Sequence, residues 1–141
     1  MFMKQYRVGY TTGVFDMFHI GHLNILKRAK ELCDYLIVGV TTDELCLNRK
    51  HKAPIINEQD RMAIVEAIKY VDKVVPQADM EKIRPVREMG VDVVFVGSDW
   101  KGTDAWNNYE KQFAEVGCTV VYLDYTKGIS SSYLRGVLPE K

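Results

Sequence analysis

The amino-acid sequence predicts an α/β fold: one domain over residues 1–141, built on a doubly wound parallel sheet of about five strands with helices on both faces. Three observations predict this class. Short apolar runs rich in β-branched residues alternate with amphipathic stretches, and each run is nearly continuous in hydrophobicity, as is typical of strands covered on both faces. The length of 141 residues suits one domain, because a chain of this size buries roughly two-thirds of its unfolded surface.

Five apolar runs are predicted as strands, at residues 8–15, 35–41, 71–75, 91–96 and 118–123, and the third has the weakest pattern. The first predicted helix covers residues 20–33 and places Leu23, Leu26, Ala29 and Leu32 on one face. A second helix is predicted to begin at Asn57, whose side chain can cap it. With right-handed crossovers, this alternation places any ligand at the carboxyl ends of the strands.

The later helices have weaker signals. A third is predicted over residues 80–89, where Pro85 lacks an amide proton and is expected to kink or restart it. Thr103 or Asp104 can cap a fourth helix, which Gly117 is expected to end. Serines near Ser130 are predicted to open the last helix.

Composition excludes several classes of function. The 19 basic and 19 acidic residues cancel, so there is no charge footprint for bulk binding of nucleic acid. No apolar run approaches the roughly 20 residues that cross a bilayer, so no membrane association is expected. Three widely spaced cysteines without a CxxC pair predict neither disulfides nor a zinc ribbon and favour a cytoplasmic location.

The most informative stretch lies between the first predicted strand and the first helix. His19 and His22 are three residues apart, so they project from one side of the first helical turn, beside its unpaired amides and the positive end of its dipole. Gly13 and Gly21 allow the backbone to approach a phosphate closely. These residues predict an anion site in which cationic or proton-donating imidazoles face a reacting phosphoryl group.

Other interpretations of the pair are helix capping and a partial metal site. A zinc site needs further ligands at suitable spacing, and the remaining histidine, His51, is distant and lies in a basic segment. The P-loop and Gly-x-Gly-x-x-Gly patterns are absent, which disfavours those phosphate-binding folds. No metal ligand of the protein is therefore predicted.

With Gly13-x-Phe-Asp16 before it, His19-Ile-Gly-His22 resembles the HxGH signature of the nucleotidyltransferase superfamily, and specifically the cytidylyltransferases that act on glycerol 3-phosphate, phosphocholine or phosphoethanolamine. Further matching stretches follow in the family's order: Thr42-Asp-Glu-Leu45, Asn57-Glu-x-x-Arg61, Tyr70-Val-Asp72, Gly97-Ser-Asp-Trp100 and Gly128-Ile-Ser130. The resemblance covers residues 6–138 and implies a Rossmann-like catalytic domain.

The resemblance implies transfer of CMP from CTP to a phosphomonoester alcohol, with Mg²⁺ carried on the triphosphate and a homodimer as the assembly. It assigns His19, His22 and Lys50 to catalysis, and Arg49 is the alternative to Lys50 within the basic segment Arg49-Lys-His-Lys52. The nucleotide would be bound by Thr12, Gly13, Val14, Gly21, Asp99, Thr126, Lys127, Gly128, Ile129 and Ser130. Arg61, Lys52 and Trp100 would bind the acceptor, and Asp16 would support the site by bonding to backbone.

Some details remain open at the sequence level. The family's Arg-Thr-Glu-Gly-Ile-Ser motif reads Tyr125-Thr-Lys-Gly-Ile-Ser130 here, so Lys127 is a candidate to supply the charge of the missing arginine. Val14 and Lys50 favour a phosphocholine-like acceptor, with Trp100, Trp106 and Tyr109 as candidate cage residues, whereas the short length and Trp100 favour glycerol 3-phosphate. An ATP-dependent adenylyltransferase and a non-catalytic nucleotide-binding module are the alternative functions.

Overall fold

The computed structural model describes residues 4–124. The strands are β1 (Tyr6–Gly13), β2 (Cys33–Thr41), β3 (Lys73–Gln77), β4 (Val93–Gly97) and β5 (Thr119–Leu123). The α-helices are α1 (Ile20–Leu32), α2 (Asp43–Lys50), α3 (Glu58–Glu66), α4 (Ile83–Met89) and α5 (Asp104–Glu115), and a short 3-10 helix, Ser98–Trp100, follows β4. All five predicted strands are present.

The five strands form one parallel sheet in the order β3-β2-β1-β4-β5, so the direction of winding reverses between β1 and β4. Strand β1 pairs with β2 along its whole length, from Tyr6 to Gly13. With β4, however, it pairs only at Gly9 and Tyr10. The sheet therefore opens a crevice beyond Tyr10, at the point where open α/β sheets bind ligands.

Apolar cores cover both faces of the sheet. Helices α1 and α3 contribute Leu26, Ala29 and Val65 to one core, which also contains Leu36, Val38 and Val40 of β2. Helices α4 and α5 contribute Val86, Trp106 and Phe113 to the other, which contains Tyr10, Ile37 and Val94. Helices thus pack on both faces, and the predicted α/β fold class is confirmed. The assignment of residues 1–141 to one domain stays a prediction.

Local signals explain where the helices begin and end. Asn57 caps α3 by accepting from the Asp60 amide at 2.9 Å, as predicted, and Thr103 rather than Asp104 caps α5. Gly117, with φ of 75°, follows the end of α5, because glycine adopts this left-handed conformation without strain. Pro85 is the third residue of α4, where its missing amide costs no helical hydrogen bond, so this helix begins at Ile83 rather than at residue 80.

Helix α2 is not predicted from the sequence, because its eight residues bury only Cys46 and show no clear apolar period. The helix is nonetheless well specified locally, since the Thr42 hydroxyl accepts from the Leu45 amide at 3.1 Å. The helix predicted near Ser130 lies outside the described residues. Between residues 4 and 124, no helix is both long and apolar enough to span a membrane.

Candidate active site

A cavity of about 520 Å³ lies at the carboxyl ends of the strands, where β1 and β4 stop pairing. Of the predicted site residues, those that line it are Thr12, Gly13, Val14, His22, Lys50 and Trp100. They come from the end of β1, the first turn of α1, the end of α2 and the segment after β4. The sheet topology therefore brings together side chains that are up to 88 residues apart in the sequence.

The loop between β1 and α1 adopts an uncommon conformation. Phe15 and Met17 both have positive φ angles, 54° and 49°, which cost free energy for residues with side chains. A Cβ atom on Gly13 would lie 3.0 Å from the Phe15 ring, so any larger residue here would push the ring by a few tenths of an ångström. The loop is therefore shaped by tertiary contacts and not by local preference.

Asp16 holds this loop against the segment before α3. Its two carboxylate oxygens accept from the amides of Ile55 and Ile56 at 2.8 and 2.9 Å, and its side chain is buried. The predicted supporting role of Asp16, bonding to backbone, is thus present in the structure. Because Ile55 and Ile56 lie between α2 and α3, Asp16 connects the loop before α1 with the segment that leads into α3.

His19 and His22 form a reciprocal cap on α1. The Gly21 amide donates to Nδ1 of His19 at 3.0 Å, and the His19 amide donates to Nδ1 of His22 at 3.2 Å. The two rings stack with centroids 3.9 Å apart. The capping interpretation is therefore correct for the Nδ1 atoms, and it leaves both Nε2 atoms for other partners.

These hydrogen bonds define the protonation of the pair. Because each Nδ1 accepts from an amide, each neutral ring carries its proton on Nε2. Burial lowers the pKa of His19, and burial with the nearby charge of His19 lowers the pKa of His22 to about 4. At neutral pH the pair is uncharged, so the expectation of cationic imidazoles gives way to the proton-donating alternative.

The Nε2 atom of His19 is buried and has no hydrogen-bond partner among residues 4–124. An unpaired buried donor costs about 1–3 kcal/mol, so native proteins rarely retain one without a function. The donor lies at the N-terminus of a 13-residue helix, where the backbone also favours negative charge. A phosphate oxygen is the type of group that satisfies both features.

A second cluster of donors consists of three cations, Arg49, Lys50 and Lys82, which line the same cavity. Arg49 and Lys50 form the last turn of α2, whereas Lys82 lies just before α4 with its ammonium 5.9 Å from the centroid of the Trp106 ring. Burial, together with the charge of Arg49, lowers the pKa of Lys82. Lys82 is not among the residues predicted from the sequence, although its position beyond the carboxyl end of β3 is a usable signal.

Arg61 does not have the predicted contact with an acceptor phosphate. Its side chain is fully buried and donates to the carbonyl oxygens of Val14, Thr41 and Ile56 at 2.7–2.8 Å. It also forms an ion pair with Asp43 at 2.5 Å. Arg61 is therefore a positioning residue that connects the end of β1 with the start of α2.

The remaining predicted residues have different positions. Gly21 is buried in the first turn of α1, whereas Lys52 and Asp99 are exposed and do not line the cavity. Trp100 lines the cavity and is 45% exposed, and Trp106 and Tyr109 join it on the wall formed by α5. The last predicted motif lies outside the described residues, and its members are Tyr125, Thr126, Lys127, Gly128, Ile129 and Ser130.

A metal site of the protein's own is also not found in the described part of the chain. Within residues 4–124, no group of three or more His, Cys, Asp or Glu side chains could hold a metal ion.

Comparison with known proteins agrees with this geometry. The family model described as cytidylyltransferase-like matches residues 10–137. The chain is 39% identical over 126 residues to glycerol-3-phosphate cytidylyltransferase of Bacillus subtilis, which covers 89% of this chain and 92% of that protein. It is also 39% identical over 111 residues to the FAD synthase of Archaeoglobus fulgidus, which covers 78% and 79% of the two chains.

Among solved structures, the chain is similar to the lipopolysaccharide core biosynthesis protein of Thermoplasma volcanium, with a TM-score of 0.71 and 31% identity over 87% of this chain and 98% of that one. The resemblance inferred from the histidine motif and the prediction of a cytidylyltransferase enzyme are confirmed by these matches. The paired histidines, the crevice between β1 and β4 and the family match over residues 10–137 together establish that this chain belongs to the cytidylyltransferase-like family.

Proposed function

We propose that this protein transfers CMP from CTP to a small phosphomonoester alcohol and produces a CDP-alcohol and pyrophosphate. The observation that carries the proposal is the histidine pair, in which both Nδ1 atoms accept from backbone amides and both Nε2 protons remain available at the N-terminus of α1. The glycerol-3-phosphate cytidylyltransferase relative supports the choice of CTP and of a phosphorylated alcohol.

The chemistry of this transfer suits two neutral donors. A phosphomonoester has a second pKa near 6, so it is mostly a dianion at pH 7 and attacks without a general base. One of its oxygens forms a bond to the α-phosphorus of CTP, the bond from this phosphorus to the bridging oxygen breaks, and pyrophosphate leaves. The Nε2 donors of His19 and His22 stabilise the charge that develops on the α-phosphoryl and leaving oxygens.

The three cations hold the phosphate of the acceptor in this proposal. Arg49 and Lys50 line the cavity from the end of α2 and Lys82 from the segment after β3, whereas His22 lines it from the first turn of α1, beside the stacked ring of His19. In-line displacement requires the attacking phosphate to lie opposite the leaving group, and in this proposal the cations hold the first while the histidine donors stabilise the second. Lys50, predicted from the sequence as catalytic, shares this task with Arg49 and Lys82.

Other parts of the proposal concern the nucleotide and the assembly. Mg²⁺ enters as part of the MgCTP substrate and offsets charge on the triphosphate. Asp99 follows β4 and accepts from the amino group of cytosine, while the backbone of residues 126–130 binds the phosphates. Lys52 and Trp100 remain proposed acceptor contacts, and a cytoplasmic homodimer remains the proposed form of the enzyme.

The alternative nucleotide is ATP. The FAD synthase relative supports it, because that protein's named product is an adenine dinucleotide. Purified protein is assayed for pyrophosphate release with CTP or ATP against glycerol 3-phosphate, phosphocholine, phosphoethanolamine and sugar phosphates. Release with CTP is expected, release with ATP alone would replace CTP in the proposal, and CTP binding without release would indicate a non-catalytic module.

A matched pair of histidine variants tests the role of the cap. His22→Asn keeps a polar side chain at the cavity but removes the ring donor, and it is expected to lose pyrophosphate release. His51→Asn changes the exposed third histidine, which has a positive φ of 57° that asparagine also tolerates. Equal activity of the two variants would contradict the proposed mechanism.

A further inference from the structure

The loop between β1 and α1 is strained at Phe15, a residue to which the proposed function gives no task. Its φ angle of 54° lies in the left-handed region that bulky side chains rarely adopt, yet only 7% of the residue is exposed. Strain of this kind persists only where the surrounding structure enforces it, and it is concentrated at functional sites. Phe15 is therefore a candidate for a task in the site.

Hydrogen bonds on both sides of Phe15 enforce this conformation. The carbonyl oxygen of Val14 accepts from the buried Arg61 of α3 at 2.7 Å. The carboxylate of Asp16 accepts from two backbone amides just before α3. Because both neighbours of Phe15 are held by the segment that leads into α3 and by α3 itself, the position of the Phe15 ring is determined by contacts outside the loop.

The loop places the Phe15 ring against His22. The centroids of these two rings are 5.4 Å apart, and their planes are inclined by 61°. The ring of Phe18 lies at 5.2 Å from the imidazole of His22, and the ring of His19 stacks on it at 3.9 Å. Phe15 and His22 both line the cavity, so the Phe15 ring takes the place of water on one side of this imidazole.

Several groups act on the charge of His22. Burial is the largest cause of its lowered pKa, the charge of His19 lowers the pKa further, and the charge of Asp16 raises it. Three cations line the same cavity, from α2 and from the segment after β3: Arg49, Lys50 and Lys82. Because burial is the largest of these causes, the apolar rings around His22 are the main reason that it stays neutral.

Protonation of His22 would also break the helix cap. Its Nδ1 atom accepts from the His19 amide at 3.2 Å, whereas an imidazolium carries a proton on both nitrogens and accepts no hydrogen bond. The ring would then lose the contact that fixes its orientation. Exclusion of water from His22 therefore maintains the direction of its Nε2 donor as well as its charge.

We propose that Phe15 is a positioning residue for nucleotidyl transfer, whose ring, placed by the strained loop, keeps water from the His22 imidazole and so preserves the cap that orients Nε2. This inference rests on the proposed function, because it concerns a donor of the same site. Phe15 acts through His22 and is assigned no contact with the reacting atoms.

The test compares two variants at one position with a control. Phe15→Ala opens one side of the imidazole to water, whereas Phe15→Met fills the same space with flexible apolar atoms. Phe113→Ala is the control, because Phe113 is also buried and lines the cavity but stacks on Tyr109 of α5.

Two measurements are made on each protein. NMR titration of the imidazole signals gives the pKa of His22, and His22→Asn identifies its signal among those of the three histidines. Pyrophosphate release with CTP gives kcat between about pH 5 and 8. The ratio of variant to wild-type kcat removes the titration of the acceptor phosphate, which both proteins share.

We expect the pKa of His22 to be about 4 in wild type, and Phe15→Ala should raise the affinity of His22 for its proton about tenfold or more. Relative to wild type, the kcat of Phe15→Ala should therefore fall as pH decreases from about 7 to 5, because the protonated fraction of His22 increases. Phe15→Met and Phe113→Ala should keep the wild-type pKa and the shape of the pH profile.

Three results would contradict the inference. The first is an unchanged or lower pKa of His22 in Phe15→Ala, and a lower value would mean that the ring stabilises an imidazolium. The second is a loss of kcat in Phe15→Ala that is equal at every pH, as a purely structural role predicts. The third is an equal rise of the pKa in Phe113→Ala, which would show general loosening of the core.

Two further outcomes have a defined meaning. If Phe15→Ala does not fold, Phe15→Asn replaces it in the comparison, because asparagine tolerates a positive φ angle and also opens the imidazole to water. Absence of pyrophosphate release with every acceptor contradicts the proposed function instead, and the NMR titration then decides on Phe15 separately.

Discussion

The two sides of the cavity differ in how their donors are held. On the α1 side, His19 and His22 are stacked, half-buried and bonded to backbone amides, so their Nε2 protons have defined positions. On the α2 side, Arg49 and Lys50 are exposed at the end of an eight-residue helix. Rigid neutral donors suit a transition state, whereas long exposed cations suit capture of a phosphate. We therefore expect the first side to control turnover and the second to control binding.

The largest effect is expected from the histidine side. His19→Ala and His22→Ala should each lower kcat about 10²- to 10³-fold, as removal of one preorganised donor commonly does. KM for the acceptor should change little, because the cations remain. Steady-state pyrophosphate release measures both constants, and circular dichroism checks the fold. A near-normal kcat in either variant would remove the distinction between the two sides.

The next effect concerns the connection between the two sides. Arg61→Met leaves three carbonyl oxygens and Asp43 without their donor, and it is expected to lower the free energy of unfolding by about 3 kcal/mol. Urea denaturation measures the loss. Arg84→Met is the control, because the ion pairs of Arg84 with Asp79 and Glu81 are exposed and contribute little. Similar losses in both variants would show that burial of Arg61 has no special consequence.

A smaller effect is expected on the cationic side. Lys82→Ala should raise KM for the acceptor about 10-fold with little change in kcat, because a charged hydrogen bond to phosphate contributes about 1.5–3 kcal/mol. Lys27→Ala, an exposed residue of α1, is the control. A loss confined to kcat would instead indicate that Lys82 stabilises the transition state. It would then contradict the division into a histidine side that controls turnover and a cationic side that controls binding.

A separate effect on the histidine side is a pH dependence of stability. The pKa of His22 is lowered from its ordinary value of 6.5 to about 4 in the folded protein, so the unfolded chain binds more protons between these values. The contribution of His22 to stability is complete above about pH 6.5 and is lost as pH falls toward 4. Thermal unfolding between pH 4 and 7 should therefore show a shallower decline for His22→Asn. An unchanged slope would mean that His22 is not neutral in the native protein.

Much of the fold was predictable because the signals are local. Apolar strands, the Asn57 cap and Gly117 act through neighbouring residues, and all are found as predicted. Helix α2 was missed because it buries one side chain. Lys82 was missed because its own neighbours carry no motif, and only its position beyond the carboxyl end of β3 indicates the ligand-binding edge of the sheet. The same argument explains the error on Arg61, whose four oxygen partners come from three separate segments of the chain.

The sequence was sufficient to determine the α/β class and the order of the five strands, since periodicity, caps and spacing depend on near neighbours, and its motifs were sufficient to indicate the family. Only the tertiary structure decided the protonation of His19 and His22 and the burial of Arg61. Each of these depends on desolvation and on partners that are distant in the chain, and these exist only after the strands have paired.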